Sequence, residues 1–357
     1  MSADEDALYA LQKLKVRRDA TTSSAPGRVN LIGEHTDYSG GLVMPLALDR
    51  RTHVALCLNN GKPGQLRANS REAGLAVGSI NQPVSNHWTD YIRGAVLEMR
   101  KVGAEISSID LGVASDVPLG AGVSSSAALE ISVLRAIRLE TGINLSDVDL
   151  AYMAQRIEND HLGLKTGIMD QMASSLGDVG RPLLFDTYTG NTELLPSFQD
   201  CVFLTFHSGI SRRLLEGAYN ERRASTDLAL KLLNLKQLVA VSTQQIESLP
   251  EAIQPRIRHV VSENTRVLKA ASAIREQESV RFGKLMNEAH ESMRDDFEAS
   301  HKEVDLQVNE ALKMGAIGAR ITGAGFGGCY VILVPTHKSE EIRTKLLRKF
   351  QDSRQVA

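Results

Sequence analysis

The sequence predicts an α+β fold in two domains, and three observations carry that reading. Strand-like and helix-like stretches are mixed without regular βαβ alternation, which argues against a doubly wound sheet. The first half is dense in glycine turns, whereas residues 217–311 are helical in pattern, charged and poor in glycine. The composition changes near residue 190, which places the domains at 1–189 and 190–357. At ~150 residues per domain, a chain of this length agrees with two.

Each element follows from local pattern. Ile109, Leu111 and Val113 alternate, which reads as a strand. The loop 118–122 follows, and then Ala127, Ile131, Leu134 and Ile137 recur at helical spacing. Ser124, Ser125 and Ser126 stand at the start of that helix, where serine is a good N-cap. Residues 150–176 read as a helix, a turn near 163–167, and a second helix from Met169. After Pro182, Leu183-Leu184-Phe185 and Val202-Phe203-Leu204 read as strands, and so do residues 330–334 behind the last glycine cluster.

Composition excludes several classes. Lys plus Arg number 41 against 43 Asp plus Glu, a net charge of −2, so the basic excess of a nucleic-acid binder is missing. No apolar run approaches the ~20 residues of a membrane span. The start, MSADEDALYA, is acidic where a signal peptide is basic. Cys57, Cys201 and Cys329 form no CxxC pair, so neither a disulfide framework nor a zinc knuckle is indicated. A reducing cytoplasm is the simplest home.

Four segments carry chemistry. In PLGAGVSSSAA, glycines let backbone N–H groups approach an anion, and a helix N-terminus adds unpaired donors with partial positive charge. Three hydroxyls add donors, and one can ligate a metal. A phosphate cradle is favoured over a plain capped turn, although no Walker-type GxxxxGK[ST] occurs. In GRVNLIGEHTDY, Arg28, Glu34, His35 and Asp37 make a dense polar patch flanked by apolar residues. It suits a polyhydroxylated ligand, each hydroxyl of which needs a partner. With no HExxH and no histidine partner for His35, zinc is disfavoured. In GIMDQ, Asp170 stands amid Ile168, Met169 and Met172. From that segment alone a buried N-cap is the simpler reading, with a general base as the alternative. TGAGFGGC matches a dinucleotide fingerprint formally, but a strand follows it where a helix is required, so the match is rejected. It is either a loop for close ligand approach or a structural turn. Arg212-Arg213 and Arg222-Arg223 read as solvated helix faces, and Asp295-Asp296 with Glu298 as surface or capping residues.

Together these segments resemble the galactokinase family of the GHMP small-molecule kinases. GRVNLIGEHTDYSGG is similar to the galactokinase signature, PLGAGVSSSAALE to the superfamily ATP-binding motif, and GIMDQMASSLG and ITGAGFGGC to two later motifs. RIRHVVSENTRVLKAA and ESMRDDFEAS are also family-like, and the resemblance spans residues 25–335. It implies a two-domain GHMP kinase fold, with an N-terminal domain like ribosomal protein S5 domain 2 and a ferredoxin-like C-terminal domain. It implies an ATP-dependent sugar 1-kinase acting on galactose, with ATP and Mg²⁺. Carried over by position, Asp170 is the base for the C1 hydroxyl and Arg28 its neighbour. Gly120, Ala121, Gly122, Val123, Ser124, Ser125 and Ser126 wrap the phosphates, and Ser70 touches the nucleotide. Ser126 and Glu158 hold Mg²⁺. Glu34, His35, Asp37, Gly167 and Tyr219 bind the sugar, with Glu34 and His35 at its C6 end.

The alternatives are a kinase for N-acetylgalactosamine, L-arabinose or galacturonate, or a non-catalytic sugar sensor. The partners implied are a small sugar and ATP, with no nucleic acid or membrane, in a monomer or weak homo-oligomer. Three departures stand out. Thr166 replaces a common cysteine, HSGIS at 207–211 departs from family wording, and the chain stops where relatives carry one more short strand. A shorter or differently covered sheet edge is therefore expected.

Overall fold

The structure, a computed structural model, describes residues 3–16, 19–210 and 216–357. Ser211, Arg212 and Arg213, singled out above, lie outside the described residues. The chain forms two compact units. One holds the described residues of Met1–Arg28, Leu48–Pro118 and Ser124–Leu176; the other holds Val29–Ala47, Leu119–Val123 and those of Gly177–Ala357. Packing therefore joins residues 29–47 and 119–123 to the second half of the chain rather than to their sequence neighbours. Hydrogen bonds show why: Gly33 N–H donates to Glu263 at 2.8 Å and Leu42 N–H to Asn264 at 2.8 Å.

Elements are numbered along the chain. The first unit is built on a five-stranded sheet of order β1-β3-β6-β4-β5. Its strands are β1 (Thr21–Asn30), β3 (Pro45–Leu58), β4 (Gln65–Ser70), β5 (Gly74–Ser79) and β6 (Ile109–Ser115). β6 pairs antiparallel with β3 and parallel with β4, at Leu56↔Leu111 and Ala68↔Leu111. The alternation seen at Ile109, Leu111 and Val113 is real, and these three join a large apolar cluster. The other face of β6 is buried too, because α1 (Ala3–Gln12) packs Ala7 and Leu11 near Ala114. The main cluster also takes residues from α2 (Thr89–Lys101), α3 (Ser125–Thr141) and α4 (Asp147–Arg156), such as Ile92, Ile131, Leu134 and Leu150. Each fully buried Leu or Ile contributes about 1.5–3 kcal/mol, so this cluster anchors the helices that carry the site. A single π turn, Ile157–His161, follows α4, and α5 (Met169–Leu176) completes the unit.

In the second unit, β9 (Cys201–His207), β10 (Gly318–Ile321), β11 (Cys329–Pro335) and β12 (Arg354–Gln355) form an antiparallel sheet of order β10-β11-β9-β12. β12 pairs with β9 at Arg354↔His207, so the sheet edge expected to be shorter or differently covered is covered by residues 354–355. A smaller sheet joins β2 (Leu42–Val43), β7 (Leu183–Asp186) and β8 (Thr192–Leu194). The helices are α6 (Glu216–Leu233), α7 (Thr243–Glu247), α8 (Gln254–Arg275), α9 (Ser279–Asp295), α10 (Lys302–Lys313) and α11 (Ser339–Lys349). Sheet and helices share an apolar cluster that includes Phe206, Ile257, Phe297, Ile321 and Ile332.

Candidate active site

In the first unit, Asp170 is bound from two directions. Arg28, at the buried end of β1, donates from Nε at 2.8 Å and from Nη2 at 2.5 Å, both to Oδ1. The Ser124 hydroxyl donates to Oδ2. Arg28 has a side chain 6% exposed, whereas that of Asp170 is 32% exposed. The arginine is thus sunk in the protein while the carboxylate keeps a solvent-facing side. Asp170 lies in the first turn of α5, where the helix dipole favours a negative charge. Its bonds go to Arg28 and Ser124, so the capping reading of GIMDQ gives way to a positioned carboxylate.

Ser124 corrects a second expectation. It does occupy the N-cap position of α3, but in left-handed conformation, φ 61°, and its side chain makes no cap hydrogen bond. Its hydroxyl is committed to Asp170 instead. The first N–H groups of α3 are therefore not satisfied by a side-chain cap, which is the condition an anion site needs. Just before it, Gly120 and Gly122 adopt φ of +70° and +78°, and a Cβ on Gly120 would meet nothing within 4 Å. Such open, left-handed glycine backbone fits a phosphate cradle.

Glu158 sits in the π turn that follows α4. A single π turn inside helical structure re-aims side chains and is frequent at functional sites. Here it carries a carboxylate that is 4% exposed. Ser126 Oγ donates to Glu158 Oε1 at 2.9 Å, and Gln171 Nε2 to Oε2 at 2.9 Å. Burial pushes the Glu158 carboxyl up, Asp170 adds to this, and hydrogen bonds from Thr166, Ser126 and Gln171 oppose it. One hydroxyl and one carboxylate converge, a donor set suited to Mg²⁺, which takes one or two carboxylates and keeps sites for phosphate and water. Among the described residues no group of three or more His, Cys, Asp or Glu could enclose a metal by itself. Thr166, the family departure, exchanges hydrogen bonds with Asn159, at 2.9 Å from its N–H, and so braces the turn before Gly167.

In the second unit, Glu34 and His35 are 1% and 5% exposed. Glu34 Oε1 accepts from Gly323 N–H at 3.3 Å, and Oε2 contacts Arg320 Nη2. His35 Nδ1 lies 2.8 Å from the Tyr38 hydroxyl, and Nε2 3.2 Å from the Ala324 carbonyl. Rings gather around it: Tyr219 at 5.9 Å and Phe297 at 4.3 Å between centroids. Tyr38 and Tyr219 are 6.1 Å apart, and the Arg223 guanidinium lies 5.3 Å over Tyr38. Burial, with Tyr219 and Asp37 adding, pushes the Tyr38 phenol well above the ordinary tyrosine value. The loop 323–328 is a structural support: a Cβ on Gly325 would fall 2.1 Å from the Ala299 carbonyl oxygen. Cys329 Sγ donates to the Ala121 carbonyl at 3.1 Å.

Two other residues named from sequence have structural partners of their own. Ser70 ends β4, and its hydroxyl accepts from the N–H groups of Glu72 and Ala73 at 3.1 Å, a turn cap. Arg222 is not solvated: it is 7% exposed and donates to the carbonyls of Phe297 at 2.7 Å and Glu298 at 3.0 Å. Tyr38, Gln171 and Arg320 were not singled out from sequence, and Arg223, read there as a solvated charge, lies over the Tyr38 ring. The available signal for Arg320 was an arginine inside the apolar stretch AIGARITG, a charge that burial obliges to find partners.

Comparison with known proteins shows the family and the fold. The galactokinase galactose-binding signature matches residues 14–57, the GHMP kinases N terminal domain residues 90–178, and the GHMP kinases C terminal domain residues 270–352. The chain is 40% identical over 341 residues to a galactokinase of Roseiflexus sp., covering 92% of this chain and 87% of that protein. It is 37% identical over 321 residues to a galactokinase of Thermococcus kodakarensis, covering 89% and 90%. The crystal structure of Lactococcus lactis galactokinase complexed with galactose superposes with a TM-score of 0.90 at 29% identity, over 98% of this chain and 96% of that one. Mevalonate kinase of Methanococcus jannaschii gives 0.70 at 20% identity over 95% and 98%, a likeness of fold alone. The expected fold is thereby borne out, and the chain belongs to the galactokinase family of the GHMP kinases.

Proposed function

We propose that this protein is an ATP-dependent galactokinase that phosphorylates the C1 hydroxyl of galactose. The observation that carries the reading is the Arg28–Asp170–Ser124 arrangement, a partly exposed carboxylate fixed on both oxygens at the start of a helix. Asp170 takes the C1-hydroxyl proton as that oxygen bonds to the γ-phosphorus of ATP. The bond from that phosphorus to the β–γ bridging oxygen breaks, and ADP leaves. Arg28 orients the carboxylate, so the base works mainly by position. Residues 120–126 cradle the phosphates, and Ser70 borders the nucleotide. Ser126 and Glu158 would hold Mg²⁺, which would supply neutralising positive charge for the phosphates. Glu34, His35, Asp37, Gly167 and Tyr219 bind the sugar.

In this reading residues 1–189 carry ATP and sugar binding and residues 190–357 form the C-terminal GHMP domain, in keeping with the stretches the family models match. A cytoplasmic setting fits three buried cysteines, and no helix among the described residues is long and apolar enough to cross a membrane. Arg320 pairs with Glu34, so repulsion is a weaker bar to a C6 carboxylate than an unpaired Glu34 would be, and galacturonate belongs in the test. That test is a panel of galactose, N-acetylgalactosamine, L-arabinose and galacturonate with purified protein and Mg-ATP. The highest kcat/KM is expected for galactose. A higher value for another sugar reassigns the substrate, and sugar binding without ADP release makes the protein a sensor.

A further inference from the structure

Arg320 is wholly buried in β10, where an unpaired charge would be prohibitive. Two carboxylates meet it, those of Glu34 and Glu263. Its Nη1 donates to Glu263 Oε1 at 3.1 Å and to the Leu31 carbonyl at 3.2 Å, and its Nε to the Ile321 carbonyl at 3.2 Å. Glu263 is itself anchored, by Gly33 N–H at 2.8 Å and by Arg266 Nε at 2.6 Å. Burial pushes the Glu263 carboxyl up, but Arg320 and then Arg266 outweigh it and hold the group well below the usual carboxylate range. The two arginines and two glutamates balance in charge. His259, whose Nε2 lies 3.2 Å from the Glu34 carbonyl, is pushed by burial down to about 4 and is neutral near pH 7.

The same strand end also fixes the backbone beside Glu34. The Thr322 hydroxyl accepts from Asn30 N–H at 2.9 Å and donates to the Asn30 carbonyl at 2.8 Å. Residues 320–323 thus grip the segment 30–34 by backbone and by charge. A planar guanidinium is suited to this, because it reaches two carboxylates and two carbonyls in fixed directions.

We propose that Arg320 is a positioning residue for sugar recognition: it fixes the Glu34 carboxylate in the direction that accepts a sugar hydroxyl, and Glu263 fixes Arg320. This rests on the galactokinase reading and on Glu34 as a sugar contact. Lysine at position 320 keeps the charge but lacks the fork, so Glu34 loses its fixed direction while the charge balance survives.

The test compares wild type with Arg320→Lys on galactose and on 6-deoxygalactose, which lacks the C6 hydroxyl. The variant is expected to raise the KM for galactose about 10-fold, the scale of one hydrogen bond to a charged group. The kcat and the KM for ATP should hold, and the KM for 6-deoxygalactose should match that of wild type. Equal shifts for the two sugars, or no shift, overturn the proposal. A second comparison removes both charges and strands neither: Arg320→Gln/Glu34→Gln against Glu34→Gln alone. Matching galactose KM values support action through Glu34, and a further penalty of about 10-fold overturns it. Loss of folding in both Arg320 variants also overturns it, since Arg320 is then a fold residue. Wild type that does not phosphorylate galactose refutes the functional reading separately.

Discussion

Arg28 puts two nitrogens on one oxygen of Asp170, Nε at 2.8 Å and Nη2 at 2.5 Å on Oδ1, which leaves Oδ2 to the Ser124 hydroxyl. The carboxylate is held like a lever with both ends fixed. Asp170→Asn retains an acceptor for Arg28 but no basic oxygen. It is expected to stay folded and to lose about 10³-fold or more in kcat, within the range of general-base contributions. Arg28→Lys offers a point charge in place of the fork and should cost about 10–100-fold in kcat. Steady-state kinetics with circular dichroism checks both, and near-normal turnover by Asp170→Asn removes it as the base.

Glu158 and Ser126 meet at 2.9 Å, with Gln171 on the far carboxylate oxygen. Glu158→Gln keeps the shape and discards the charge. The free Mg²⁺ needed for half-maximal rate is expected to rise about 10-fold, with sugar KM unchanged. Ser126→Ala should move it the same way by less. A Mg²⁺ titration identical to wild type rules out Glu158 as a ligand.

Glu130 in α3 is fully buried, and neither carboxylate oxygen has a hydrogen-bond partner among the described residues. Burial foremost, then Glu158 and Asp170, raise its carboxyl well above the ordinary value of 4.5. The folded protein therefore keeps a proton that the unfolded chain releases. This contribution to stability is complete below the unfolded value and is lost as pH rises toward the folded one. Glu130→Gln removes the titration. Its stability relative to wild type should improve from pH 5 to pH 8, by up to about 1.4 kcal/mol per pH unit inside the window. Melting curves at both pH values check this, and parallel curves for the two proteins contradict it.

Gly325 and Gly120 are both left-handed, at φ +82° and +70°, yet they differ in surroundings. A Cβ at 325 would lie 2.1 Å from the Ala299 carbonyl oxygen, which accepts Phe326 N–H at 2.7 Å; one at 120 meets nothing within 4 Å. Gly325→Ala should lose about 3 kcal/mol or more, because backbone must shift. Gly120→Ala should lose only about 1–2 kcal/mol, the left-handed penalty, while raising the KM for ATP. Urea denaturation separates the two, and equal losses would show that conformation rather than crowding governs both.

Much of the fold and part of the site were legible in the chain. β6, α3, α5 and β11 show their spacing locally, so the strand–glycine loop–helix order and the strand behind the last glycine cluster follow from residue order alone. The motif-bearing residues Arg28, Glu34, His35, Ser126 and Asp170 were visible as residue types in dense, glycine-bounded segments, whereas Glu158 came only from the family resemblance. Their partners were not. Asp170 lies 142 positions from Arg28 and 46 from Ser124, so whether Ser124 caps its own helix or holds a distant carboxylate is settled by which acceptor comes closer. Arg222 reads as a surface charge until the Phe297 carbonyl, 75 positions away, is found to take its Nε. Arg320 looks like an oddity in an apolar strand until Glu34, Glu263 and Leu31 surround it. Sequence by itself determined the kinds of element, the balance of charge and the chemistry on offer, because periodicity and turn preference act over a few residues. Only the tertiary structure decided which charges are buried and paired, because desolvation and hydrogen-bond geometry depend on groups that the chain brings together from far apart.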